Sequence, residues 1–82
     1  MQIERNGAIY MISYKKLWKM LIDKDLKKKD LANLAEISQY TVNKITRGDT
    51  VTTETLAKIC QALDCNVGDI MDIIPTKEQT KG

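Results

Sequence analysis

The sequence predicts an all-α domain, a compact bundle of five short helices, and three observations carry that reading. At 82 residues the chain has room for one domain. Its apolar residues recur at i, i+3, i+4 and i+7 in one segment after another, the spacing of a helix face. The breaks between these segments are a few residues long, as packed helices prefer.

Taken in order, Tyr14, Leu17, Trp18, Leu21 and Ile22 form one apolar stripe on a first helix that ends near Asp23. Trp18 lies on that stripe and is expected in the core. Leu31, Leu34 and Ala35 mark a second, very short helix. Val42 and Ile45 mark a third, which stops at Arg47 because Gly48 and Asp49 follow. Leu56, Ile59, Cys60 and Leu63 repeat the pattern in a fourth, with Thr52 placed to cap its start. A brief fifth, Val67 to Met71, can be capped by Asn66 with Asp69 three residues later. Residues 1–11 fit none of this and read as an N-terminal extension, either flexible or a short strand through Ala8, Tyr10 and Ile12. The domain proper is then 12–74. Pro75 ends regular structure, and 75–82 reads as a polar tail.

Composition narrows the function classes. An apolar fraction of 43% with 29% charged residues is that of a globular domain. There is no His, which removes the usual general base and the usual zinc nitrogen ligand. No enzyme, metal site or cofactor is expected. Cys60 and Cys65 do not make CxxC, and no second pair exists. Cys60 reads as a small buried hydrophobe and Cys65 as a more exposed residue in a turn. Asp64, Asp69 and Asp72 lack the spacing of a calcium loop. No apolar run approaches the ~18 residues that span a bilayer, and residues 1–10 lack the features of a signal peptide. The expected setting is a reducing cytoplasm, with no membrane partner.

The net charge of +2 is unevenly placed. From Tyr14 to Arg47 nine Lys/Arg face four Asp/Glu, whereas from Gly48 onward three Lys face six acids. The basic middle suits a polyanion, and the acidic end avoids one.

The informative segment is Lys27 to Gly48, KKKDLANLAEISQYTVNKITRG. Ala32 is small enough for close helix packing, Ala35 and Ile37 flank a tight turn at Glu36, and Ser38 can cap the next helix. Val42 and Ile45 anchor that helix by one side, so the two helices describe a helix-turn-helix. On its other side Tyr40, Asn43, Lys44 and Arg47 stand at i, i+3, i+4 and i+7, with Gln39 beside them and Thr41 on the flank. No acid occurs between Ile37 and Arg47, although a merely solvated face normally includes Glu or Asp. Gln and Asn can pair with the N6/N7 edge of adenine, and Arg or Lys with guanine or phosphate. Thr and Tyr can touch thymine methyls or phosphate oxygens. Lys27, Lys28 and Lys29 crowd the start of the second helix, where the macrodipole disfavours cations. A docked phosphate would reverse that penalty; neutralisation by Asp30 and Asp25 is the alternative.

The segment from about Tyr14 to Met71 resembles the Cro/cI-type (XRE) helix-turn-helix regulators of bacteria and phages. The resemblance runs through KKxxLA, the turn into IS, TVxKI, RGD and LAKICQALDCNVGDIM. It implies the five-helix, lambda-repressor-like fold, with helices 2 and 3 as the motif. It also implies that Lys28 contacts phosphate, that Ala32, Ile37, Val42 and Ile45 are packing positions, and that Gln39, Tyr40, Thr41, Asn43 and Lys44 lie on the recognition helix. The loop Gly48 to Thr52 is the stretch whose backbone approaches phosphates. Glu36 departs from the Gly frequent in the family's turn.

The expectation is therefore a sequence-specific, double-stranded DNA-binding transcriptional regulator, with repression the expected direction. Helix 3, Ser38 to Arg47, would enter the major groove. Gln39, Thr41 and Asn43 would read bases, while Lys28, Lys29, Ser38, Tyr40, Lys44 and Arg47 would engage the backbone. Two half-sites call for a homodimer, through Val67, Ile70, Met71, Ile73 and Ile74 or through the N-terminal extension. The alternative is an antitoxin-like protein-interaction module with secondary DNA binding, suggested by the acidic, partly apolar C-terminal third.

Overall fold

A computed structural model describes residues 2–5 and 8–75 of the chain. Two strands lead: β1 (Gln2–Arg5) and β2 (Ala8–Ser13). Four helices follow: α1 (Lys15–Asp23), α2 (Lys28–Ala35), α3 (Gln39–Thr46) and α4 (Thr53–Leu63). A 3-10 turn at Val67–Asp69 and a last strand, β3 (Asp72–Pro75), complete the described chain.

The helical bundle matches the expectation except in its count, which is four rather than five. The segment expected as a fifth helix makes a single 3-10 turn and then extends into β3. Its length explains this: three residues with Gly68 in the middle are a poor nucleus, and the strand beyond supplies hydrogen-bond partners instead. The Asp69 carboxylate accepts the Asn66 backbone N–H at 2.9 Å, part of the capping box expected between these two residues. Thr52 does cap α4, accepting the Thr55 N–H at 3.1 Å.

A three-stranded antiparallel sheet accompanies the bundle, with β2 at its centre. Ile3 lies opposite Tyr10, and Met11 opposite Ile74. Of the two readings of the N-terminal extension, β2 realises the strand through Ala8, Tyr10 and Ile12. The tail expected beyond Pro75, residues 76–82, lies outside the described residues.

One core cluster unites Tyr14, Leu17 and Leu21 of the first helical segment with Leu31, Ala35, Ile45, Ile59, Leu63 and Ile70. Four sequence assignments need correction. Trp18 is only half-buried at the edge of this cluster. Ile22 is 76% exposed and Leu34 53% exposed, because each lies at the margin of its helix's apolar arc and no second layer covers that margin. Ile70 is fully buried, so it belongs to the interior and not to a docking surface.

The helices end on one repeated device. The N–H of Leu26 bonds the Leu21 carbonyl at 2.8 Å, that of Ile37 bonds Ala32 at 3.0 Å, and that of Cys65 bonds Cys60 at 3.0 Å. Asp49 to Lys44, at 2.9 Å, closes α3 in the same way. These are Schellman turns, each needing a left-handed residue just past the helix. Gly48 supplies it after α3, but Asp25, Glu36 and Asp64 supply it elsewhere, with φ of 59°, 57° and 55°. An acid there carries both left-handed strain and a charge at the negative end of the helix dipole. Glu36→Gly should therefore stabilise the fold by about 0.5–1 kcal/mol, seen as a higher denaturation midpoint, after the extra freedom of Gly in the unfolded chain is set against the relieved strain. A lower midpoint would show that Glu36 makes a compensating interaction.

Candidate nucleic-acid interface

The local sequence holds α3 from both its start and its back. Ser38 stands at the N-cap with extended backbone, and its Oγ accepts the Thr41 N–H at 3.1 Å. Val42 and Ile45, at 0% and 1% exposure, press one side of the helix into the domain. The opposite side is thereby committed to solvent. Tyr40 is 67% exposed, Gln39, Asn43 and Arg47 are exposed, and Lys44 is half-buried along the same stripe. Thr41 sits half-buried on the flank, its hydroxyl 3.0 Å from that of Ser38.

The polar side chains on this face are organised among themselves. Gln39 Nε2 donates to Asn43 Oδ1 at 3.3 Å, so two amides one helical turn apart form a single unit. That bond leaves the Gln39 carbonyl oxygen and both Asn43 N–H groups free, a mixed acceptor and donor edge. Lys44 Nζ lies 5.8 Å from the Tyr40 ring centre, a loose cation–π contact. Arg47 is less free than its sequence position suggests. Its Nη2 and Nε donate to one Asp49 carboxylate oxygen at 3.0 and 3.2 Å. The pair spans the end of α3 and is largely solvent-exposed on the Arg47 side, so its energetic worth is small.

At the start of α2, Lys27, Lys28 and Lys29 are all exposed. Asp30 supplies the cap that Lys27 cannot, its carboxylate accepting the Lys27 N–H at 2.8 Å. Lys28 reaches furthest. Its ammonium donates to Thr46 Oγ1 at 3.1 Å and lies 4.5 Å from the centre of the Trp18 ring. It therefore joins α1, α2 and the C-terminal end of α3, next to Arg47. Sequence reasoning had no signal for this contact, since Trp18 and Thr46 are distant in the chain and Trp18 was assigned to the core. Lys29, by contrast, makes no ion pair among the described residues.

Behind the loop that follows α3, Tyr14 Oη donates to the Asp49 carbonyl at 3.3 Å and ties the start of α1 to that loop. Burial, assisted by the Asp49 charge, raises the Tyr14 pKa above its ordinary value. Away from α3, the Schellman turn of α4 sets Cys65 against Cys60, and both are half-buried rather than one buried and one exposed. Burial first, then the neighbouring Cys60 and Asp69, push the Cys65 thiol from 9.0 up to about 11, against a smaller pull from Lys24. Alkylation of Cys65 at pH 8 should then run about a hundredfold slower than for a thiol of ordinary pKa. The folded state holds this proton more tightly than the unfolded one. The associated stability is present below pH 9 and is lost as pH rises through about 11. Denaturant midpoints at pH 8 and pH 10.5 check this; equal midpoints would contradict it.

Comparison with known proteins bears on the same elements. Residues 16–76 match the model of the Cro/C1-type HTH DNA-binding domain, a span that begins at the second residue of α1 and takes in the other three helices. The fold is also similar to the crystal structure of the transcriptional regulator VanUg, form II. The TM-score is 0.78 at 36% sequence identity, over 93% of this chain and 99% of that one. No curated protein matches the chain significantly.

Proposed function

From the premise that this chain belongs to the Cro/C1-type helix-turn-helix DNA-binding family of XRE-type transcription regulators, we propose that it is a cytoplasmic, bacterial or phage-encoded repressor that reads an operator with α3. The acid-free outer face of α3, held rigid by Val42 and Ile45 behind it, is the observation that carries this reading. In the major groove the Gln39–Asn43 amide unit would meet an adenine N6/N7 edge, with Thr41 at the margin for a thymine methyl. Lys28, Lys29, Ser38, Tyr40, Lys44 and Arg47 would engage phosphates and fix the register. Repression would follow from occupying the operator and excluding polymerase.

A homodimer over two half-sites completes the proposal. Its surface is Val67, Met71, Ile73 and Ile74, of which Val67, Ile73 and Ile74 are exposed apolar residues. The same exposed residues favour the second reading, an antitoxin-like subunit whose main partner is another protein. Sedimentation of the free chain and of the operator complex separates the two.

The test is a selection from random duplex DNA at ~150 mM salt, near physiological ionic strength. Enrichment of an inverted repeat supports base reading by a dimer, and an unenriched pool overturns sequence-specific reading. Lys28→Ala should weaken binding to every duplex alike and lower the salt slope by about one. An effect confined to one sequence would remove Lys28 from the backbone contacts.

A further inference from the structure

Lys28 reaches Thr46 at the end of α3, and Arg47 is the next residue in the chain, yet the two cations are held in opposite ways. Arg47 spends its charge on the Asp49 carboxylate. Lys28 is held by two neutral groups: the Trp18 ring, 4.5 Å from Nζ, and the Thr46 hydroxyl at 3.1 Å. Thr46 donates its own proton to the Val42 carbonyl at 3.0 Å, which leaves its oxygen lone pair turned toward Lys28. Trp18 in turn packs half-buried against the core cluster, so the ring is a fixed surface.

An ammonium has three N–H donors and no acceptor. With one donor on Thr46 and one side against the indole face, Lys28 keeps a donor and its full charge for an anion. A surface lysine ordinarily loses much of its rotamer freedom when it meets a phosphate. Lys28 already makes both contacts without DNA, so less freedom is left to lose, and pre-ordering of this kind appears as affinity. Being held by neutral groups rather than by a carboxylate, it is ordered without being neutralised.

We propose that Trp18 is a positioning residue for DNA-backbone binding: its indole face, with the Thr46 hydroxyl, holds the Lys28 ammonium ready for a phosphate. The inference rests on Lys28 being a backbone contact, as proposed above. It also gives a functional reason for an aromatic residue only half-buried on the α1 stripe.

The experiment is a double-mutant cycle on the full chain, with random-sequence duplex DNA as the probe, compared at one low salt concentration and repeated across a salt titration. Trp18→Leu and Thr46→Val should each weaken binding roughly two- to five-fold when Lys28 is present. Neither should weaken it further in a Lys28→Ala background. Trp18→Phe, which keeps an aromatic face, should lose less than Trp18→Leu. The salt slope should stay at its wild-type value in Trp18→Leu, because the charge is retained, and drop by about one in Lys28→Ala. If Trp18→Leu does not fold, Trp18→Phe and Thr46→Val carry the same cycle. Equal losses in both backgrounds, or no loss in either, overturn the positioning role and leave the DNA-binding reading standing. Failure of the wild-type chain to bind any duplex overturns both.

Discussion

Ile45→Ala is expected to destabilise the domain by about 2–5 kcal/mol, the range for deleting a buried branched side chain and leaving a cavity. Ile45 is 1% exposed and belongs to the central cluster with Leu17, Leu31 and Ile59. A domain of this size has a net stability of roughly 4–12 kcal/mol, so the loss is a large share of the whole. The side chain does two jobs. It fills the core, and with Val42 it is what fixes α3 against the domain. Chemical denaturation should show a lower midpoint, and binding to all DNA should fall with the folded fraction. Ile22→Ala is the control: the sequence pattern alone ranks Ile22 with the core, but at 76% exposure its truncation should change stability by less than about 0.5 kcal/mol. Equal effects from the two substitutions would mean that the packing described for α3 is wrong.

The second large effect is expected on recognition rather than on folding. Gln39→Ala or Asn43→Ala should cost about 1–3 kcal/mol on the selected operator while leaving stability and binding to random duplex nearly unchanged. Both residues are exposed and neither supports the core, so the substitutions separate reading from folding. Because the two amides share a hydrogen bond at 3.3 Å, their effects should not add. The double mutant should lose less than the sum of the single losses. A competition assay between operator and random duplex measures the discrimination directly. Equal weakening on both would show that these amides do not read bases.

The helical half of the molecule was legible from residue spacing because its determinants are local. Thr52 and Ser38 cap the helices where expected, and the buried pairs on α3 and α4 fall at helical intervals. The sheet was only half legible. The run Ala8 to Ile12 is continuously apolar, which permits a strand without requiring one, and its partner Asp72–Pro75 lies some sixty residues away and pairs with it only after the bundle has brought the two together. Ile70 was misplaced for a related reason: α4 ends on the left-handed Asp64 and Asn66 is extended, so the spacing along α4 carries no information about which way Ile70 faces. At the candidate interface, the outward stripe of α3 followed from periodicity alone. The side chains that hold it did not, because the Lys28–Trp18 and Arg47–Asp49 contacts depend on how segments meet in space.

The Arg47–Asp49 pair has a bearing on how phosphate contacts would be counted in solution. A free lysine meeting DNA displaces a condensed cation into the bulk, and that release is what a salt titration registers. Arg47 already carries an internal counter-ion, the Asp49 carboxylate. If a phosphate takes over the guanidinium, Asp49 is stranded beside the duplex and must recruit a cation from solution. One cation released and one taken up cancel. Arg47 would thus exchange one anion for another with little net ion traffic, and the salt dependence of binding would report about one phosphate fewer than the protein touches.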